Sequence, residues 1–340
     1  MPRFKAKRIC FIRTSAIGDV VHGLAFMNGL RSGYPDAHIS WITQRIPGEL
    51  ISGHPSFNRL ITFNRKMTII EWVNFIRRIR LETYDLVIDP QVSFKATLLT
   101  LFSRADIKLG YDFRRTRELN WLATNHRIPR KPLGHVLDNL LEFLDYLGID
   151  YPEPVWNLTK TPAEMSWQEQ WKSRFTRPVV GLVPASSTPD KDWAPENYAA
   201  LADRIVSELN LEPVIICGPG KREMQIAETI HSTAESKPVI SSAKPIRHTM
   251  LQLGACRVVV APDTGPLHIA VALGIPTIGL YGYSNPRRCG PYKFKELLID
   301  RYNDPNAEPD PITRKTKPGR MNLITVDAVM ERIAMATSKY

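Results

Sequence analysis

The chain has 340 residues, 43% of them hydrophobic and 23% charged, with 45 Lys and Arg against 34 Asp and Glu for a formal charge of +11. That length points to two domains of roughly 150 residues each, and the composition excludes a disordered or fibrous class. The charge is uneven: residues 1–150 carry 22 Lys and Arg against 14 Asp and Glu, so the first half expects an acidic partner, whether nucleic acid, an anionic membrane face or a polyanionic substrate.

Strands and helices alternate along the chain. Residues 9–13 read as a buried strand, 14–18 (Thr-Ser-Ala-Ile-Gly) as a small-residue turn, and 19–32 as a helix opened by Asp19. Strands follow at 38–43, 59–63, 85–89 and 107–109, with helices at 69–82 and 93–103 between them. In the first of these helices Ile69, Ile70, Val73, Ile76 and Ile79 keep a helical stripe beside Arg77, Arg78 and Arg80. A helix at 135–147 closes this half. Residues 151–177 break the rhythm with prolines and Trp156, Trp167 and Trp171, as expected of a linker with a short amphipathic helix.

Alternation restarts with strands at 179–183 and 213–217 and helices at 195–209, 221–231 and 249–255. Residues 257–261 (Arg-Val-Val-Val-Ala) form a β-branched run typical of a buried parallel strand. Asp263, Thr264 and Gly265 then turn, Pro266 suits a first helical turn, residues 267–273 form a helix, and 276–280 are a second buried strand. Such a turn lies at the carboxyl end of a parallel sheet, where helix amides favour an anion and doubly wound folds bind ligands. Asp263 and Thr264 can cap the helix, and His268 falls one turn inside it. Residues 301–320 read as a proline-rich loop and 326–336 as a last helix.

No apolar run approaches the roughly 20 residues of a membrane span, and the five before Arg13 are too few for a signal peptide. The chain is expected to stay in the cytoplasm. Cys10, Cys217, Cys256 and Cys289 show no metal or disulfide spacing. Neither a compact basic run with interleaved aromatics nor a nucleic-acid motif appears, so no nucleic-acid partner is expected.

Two motifs together are specific. Asp263-Thr264-Gly265-x-x-His268-x-x-x-Ala272-x-Gly274-x-Pro276, followed by Leu280-Tyr281-Gly282-x-x-x-Pro286, resembles the nucleotide-sugar motif of the ADP-heptose:lipopolysaccharide heptosyltransferases, glycosyltransferase family 9. Thr14-Ser15-x-x-Gly18-Asp19-Val20 resembles the turn that family carries after its first strand. The resemblance covers nearly the whole chain. It implies the α/β GT-B fold, two doubly wound Rossmann-like domains facing a cleft, with the acceptor on the first and the nucleotide sugar on the second. The expected boundaries are 1–155 for the acceptor domain, 156–177 for the linker, 178–325 for the donor domain and 326–340 for a helix packing back on the first domain.

The resemblance also implies roles. Asp19 would be the base that takes the acceptor hydroxyl's proton, with Arg13, Thr14, Ser15 and Gly18 around it and Lys95 and Arg117 as further acceptor contacts. Lys191 would neutralise the departing diphosphate, helped by Ser186 and Ser187. Asp263, Thr264, Gly265 and His268 would meet the sugar or diphosphate, and Glu223 the ribose. No metal and no cofactor are expected. The implied reaction is inverting transfer of L-glycero-D-manno-heptose from ADP-heptose to Kdo-lipid A by a monomer at the anionic cytoplasmic face of the inner membrane. The alternatives are a family 9 enzyme with another acceptor (second core heptose, O-antigen or protein), a GT-B nucleotide-sugar epimerase, and a basic polyanion-binding protein without turnover. Pro266 and Arg287-Arg288 depart from the family pattern and bear on sugar and acceptor identity.

Overall fold

A computed structural model describes residues 3–151, 153–304 and 306–340. Pro152, in the proline-bearing border of the expected linker, and Pro305, in the expected loop, lie outside the described residues. The chain divides into two compact units, one of residues 1–132 and 136–158 and the other of 133–135 and 159–340.

The first unit runs β1 (Arg8–Ile12), α1 (Ile17–Gly33), β2 (His38–Gln44), α2 (Arg45–Ile51), β3 (Arg59–Phe63) and α3 (Ile69–Arg80). It continues with β4 (Thr83–Asp89), α4 (Phe94–Phe102), β5 (Arg104–Gly110), α5 (Asn120–Ala123), β6 (His126–Arg127) and α6 (Val136–Leu147). Beyond its first residue β1 is wholly buried, as a strand apolar on both faces must be when helices cover both sides of its sheet. It pairs in parallel with β2 and with β4, and the full order is β3-β2-β1-β4-β5-β6. Under α3 and α4, a core of Ile12, Ile42, Phe63, Phe75, Ile79, Val87 and Leu99 fixes that layer on the sheet. Each such fully buried side chain contributes about 1.5–3 kcal/mol. At the start of α3 the Thr68 hydroxyl accepts from the Glu71 amide, and the Glu71 carboxylate accepts from the Thr68 amide at 2.6 Å. That reciprocal cap starts the helix where its stripe begins.

The second unit runs α7 (Pro162–Lys172), β7 (Val179–Leu182), α8 (Pro195–Leu209), β8 (Glu212–Cys217), α9 (Lys221–Thr233), β9 (Val239–Ser242) and α10 (Ile246–Leu253). Then come β10 (Val258–Pro262), α11 (Gly265–Ala272), β11 (Thr277–Tyr281), α12 (Pro286–Cys289), β12 (Ile299–Asp300) and α13 (Val326–Lys339). Its sheet order is β12-β11-β10-β7-β8-β9, again with parallel pairings throughout its described strands. Read from the first strand of each unit, both sheets have the order 3-2-1-4-5-6.

Residues 159–177, expected as a linker with a short amphipathic helix, fall in the second unit and carry α7: Trp171 donates to the Ser241 hydroxyl at 2.9 Å and Gln168 to the Leu251 carbonyl at 2.5 Å. The last helix, expected to pack back on the first domain, contributes to the core of the second unit. Val329, Met330, Ile333 and Ala336 of α13 join Trp193, Tyr198 and Leu201 in the second unit's own core, and α13 lies against α8. The loop between β12 and α13 is tied down as well, since Tyr302 is buried and Lys317 donates to its carbonyl at 2.9 Å. Among the described residues no helix is long and apolar enough to cross a membrane.

Candidate active site

In a sheet of order 3-2-1-4-5-6, strands 1 and 4 are neighbours whose connections leave in opposite directions, which opens a crevice at their carboxyl ends. In the first unit those strands are β1 and β4. In the second they are β7 and β10. The sequence motifs sit at these two places.

After β1, the backbone of Arg13 and Thr14 is held from β2: Trp41 donates to the Arg13 carbonyl at 3.2 Å, and the Thr43 hydroxyl and Gln44 amide to the Thr14 carbonyl at 3.3 and 3.0 Å. Asp19, in the first turn of α1, accepts from Arg13 Nη2 at 2.7 Å on Oδ1 and from the Ala16 amide at 3.0 Å on Oδ2. Its side chain keeps about a third of its surface exposed, against 10% for Arg13. The other Arg13 nitrogen, Nη1, donates to the Pro90 carbonyl at 3.0 Å, so the guanidinium bridges the ends of β1 and β4. Arg13, expected to contact the acceptor, is therefore held by Asp19 and Pro90. Thr14 is buried and serves through its carbonyl, Gly18 is buried, and Ser15 is the half-exposed hydroxyl of the turn.

At the end of β4 stands Asp89, a carboxylate for which the sequence suggested no role of its own. Asp89 is fully buried and accepts from the Thr100 hydroxyl at 2.6 Å, the Asn120 amide at 2.7 Å and the Gln91 backbone at 2.9 Å. Burial pushes its carboxyl up to about 7, against the pull of those donors and of Arg13. Arg13 Nε, Gln91 Oε1 and Asn120 Oδ1 are buried without a hydrogen-bond partner among the described residues. Lys95 donates to the Arg65 carbonyl at 2.7 Å and, with Arg65, Lys66 and Trp72, lines a hollow of about 480 Å³. Arg117 is exposed on the surface. The buried arginine of that turn is Arg115, paired with Asp112 and with Glu142 at 2.7 Å.

In the second unit, Lys191 Nζ lies 2.7 Å from Asp263 Oδ2, and His268 Nε2 lies 3.8 Å from Oδ1. Burial alone would raise the Asp263 carboxyl, but His268 and Lys191 outweigh it and hold it well below the usual carboxylate range. Burial, with the Asp263 charge added to it, keeps the Cys289 thiol high, its Sγ 3.5 Å from Oδ2. Residues 72 positions apart thus meet at one point, because the loop after β7 is anchored by Trp193, whose indole donates to the Ile324 carbonyl at 3.0 Å.

Neither Asp263 nor Thr264 caps α11. Asp263 faces Lys191, and Thr264 stands at the N-cap position without a side-chain bond to the helix. The first amides of α11 therefore lack a side-chain cap, which suits an anion. Ser186 is buried and its hydroxyl donates to the Thr188 carbonyl at 2.7 Å, so it shapes the loop, while Ser187 is exposed. Arg222 and Asp192, unforeseen in the sequence, brace that loop: Arg222 donates to the Ser186 carbonyl at 2.8 Å and pairs with Asp192. At the end of β8, the Glu223 carboxylate folds over Gly218, so close that a Cβ there would stand 2.1 Å from its Oε2.

A family model described as "Glycosyltransferase family 9 (heptosyltransferase)" matches residues 72–311. The chain belongs to glycosyltransferase family 9. This family 9 chain is 32% identical over 312 residues to a lipopolysaccharide core heptosyltransferase, OpsX, of Haemophilus influenzae, covering 91% of this chain and 88% of that one. In structure it is similar to a family 9 glycosyl transferase of Veillonella parvula (TM-score 0.85, 21% identity, 98% of each chain). It is also similar to the heptosyltransferase WaaC of E. coli solved with ADP (TM-score 0.75, 19% identity, 97% of this chain and 99% of that one). The fold is accordingly GT-B, and the protein is a glycosyltransferase of the lipopolysaccharide heptosyltransferase family.

Proposed function

We propose that this glycosyltransferase moves L-glycero-D-manno-heptose from ADP-heptose to Kdo-lipid A, with inversion and without metal, as a monomer at the cytoplasmic face of the inner membrane. The observation that carries the reading is Asp19: a half-exposed carboxylate at the β1–β4 crevice with each oxygen held by one donor. Each oxygen keeps acceptor capacity for a sugar hydroxyl. The name of the Haemophilus influenzae relative supports a lipopolysaccharide core acceptor, and the ADP of the E. coli structure supports the donor.

In this reading Asp19 takes the proton of the acceptor hydroxyl as its oxygen bonds to the anomeric carbon. The bond from that carbon to the diphosphate oxygen breaks, and ADP leaves with the electron pair. Lys191 and the first amides of α11 meet the negative charge that grows there. Asp263 holds Lys191 in place, with His268 behind it; Ser187, Thr264 and Gly265 contact the diphosphate or sugar, and Glu223 bridges the ribose hydroxyls. Ser15, Lys95 and Arg117 contact the acid groups and hydroxyls of the acceptor.

The test is coupled ADP release from ADP-heptose, with and without Kdo-lipid A and in chelator, for the wild type and for Asp19→Ala. Release that requires the acceptor and survives chelation is expected, and Asp19→Ala is expected to lower turnover by about 10²–10⁴ with folding intact. Near-normal turnover in that variant removes Asp19 as the base. Donor binding without release moves the enzyme to another acceptor, and acceptor-independent conversion of the donor favours an epimerase.

A further inference from the structure

We infer that the rim of the first unit formed by the starts of α3 and α4 and by the segment around α5 is a docking surface for an anionic lipid bilayer. The inference rests on the membrane-face location proposed above and assigns it to particular residues.

Single exposed apolar side chains on a protein surface are ordinary; a concentrated set is not. Eight of the seventeen large apolar side chains exposed among the described residues fall in three short stretches of this unit. Ile69 and Ile70 open α3, Phe94 opens α4, and Phe113, Trp121 and Leu122 flank or lie in α5, with Ile69 at 83% and Ile70 at 74% exposure. Strands β3, β4 and β5 are parallel members of one sheet. The chain that leaves their carboxyl ends therefore emerges on one side, the side that also carries the Asp19 turn after β1. Helices α3, α4 and α5 pack in succession, so the three stretches are neighbours along one rim.

The charges choose the occupant. Three acids of this rim are tied locally: Glu71 to the Thr68 hydroxyl at 2.9 Å, Glu118 to the Phe94 amide, and Asp112 to Arg115. Arg65, Lys66 and Arg114 are exposed, with no ion pair among the described residues. Apolar side chains standing among unpaired cations match a bilayer interface bearing negative headgroups, into which the rings insert while the cations meet phosphate. A second copy of this chain would bring cation against cation, and a neutral apolar partner would leave the arginines unanswered. The placement also has a use, since an acceptor anchored in the bilayer would be offered at the end of the sheet where Asp19 stands.

The experiment is flotation of the full chain with vesicles of phosphatidylcholine alone and of phosphatidylcholine mixed with phosphatidylglycerol. The wild type is expected to float only with the mixed vesicles and to be released by salt. An apolar variant, Ile70→Ser/Phe113→Ser/Leu122→Ser, is expected to bind at least tenfold more weakly, yet to keep wild-type turnover on a deacylated, water-soluble acceptor. A charge variant, Arg65→Gln/Lys66→Gln/Arg114→Gln, is expected to lose affinity on the order of a hundredfold, at roughly 1 kcal/mol per cation, and much of the salt dependence. Thermal melts establish that both variants are folded. Wild type that ignores anionic vesicles overturns the membrane location itself. Wild type that binds while both folded variants bind equally well leaves the location standing and overturns this surface.

Discussion

Asp89 is the residue whose behaviour burial decides. In an unfolded chain its carboxyl titrates near 4, whereas in the folded protein burial lifts it to about 7. The folded state thus holds the proton more tightly. The stability this confers is complete below the unfolded value and is lost as pH rises through about 7. Asp89→Asn cannot ionise, and Asn120 can turn its amide to suit, since its Oδ1 has no partner. The stability gap between the wild type and this variant is expected to move by a few kcal/mol in favour of Asn as pH rises from 5 to 8, read by urea unfolding at each pH. A gap that stays constant would mean that Asp89 does not titrate in that range. Its burial was not visible in the sequence, because its surroundings come from Thr100, Asn120 and Arg13, distant in the chain. The same limit applies to Arg115 and Arg117. Two residues apart in one turn, they look alike in sequence, and only the packing against Asp112 and Glu142 sends one inward.

At the scale of elements, two glycines make opposite claims about the turns they occupy. A Cβ at Gly218 would meet only the far end of Glu223, a side chain that can swing away. A Cβ at Gly282 would stand 2.5 Å from the backbone of Arg320 and Met321, which cannot. Gly218→Ala is therefore expected to leave stability within about 1 kcal/mol while raising the donor KM, because the displaced carboxylate is the one proposed to hold ribose. Gly282→Ala is expected to cost about 1–3 kcal/mol by forcing apart the end of β11 and the segment before α13. Urea unfolding and donor saturation curves separate the two. An unchanged donor KM in Gly218→Ala would remove Glu223 from the donor site. The long elements were legible from their periodicity, and α1, α3, α6 and α8 begin and end within two residues of expectation. The two-residue strands β6 and β12 were not, since no pattern can accumulate over so few positions. The last helix was legible as a helix and was expected against the first domain; α13 lies against α8 in the second unit.

For the whole molecule, the repeated sheet order puts one candidate site in each unit, built entirely from that unit's own strand ends. The Asp19 turn draws on β1, β2 and β4; the Lys191–Asp263 pair draws on the segments after β7 and β10. This division was legible because each motif follows a strand that opens or restarts the alternating pattern, and a doubly wound sheet binds where its strand order reverses. It makes the donor's footprint local. ADP at about a hundred times its Kd stabilises the state that binds it by roughly 2.7 kcal/mol. That stabilisation should slow amide exchange where the ligand orders backbone, at residues 184–192, 218–223 and 263–268. Residues 13–19 and 89–95 should exchange as before, because no donor contact is assigned to them. Hydrogen exchange read by mass spectrometry, with and without saturating ADP, resolves the two groups. Equal protection of residues 13–19 would mean that the nucleotide reaches the Asp19 turn, and the assignment of donor and acceptor to separate units would have to be redrawn. Protection confined to the second unit leaves the β1–β4 crevice open for the acceptor, with Asp19 at its edge.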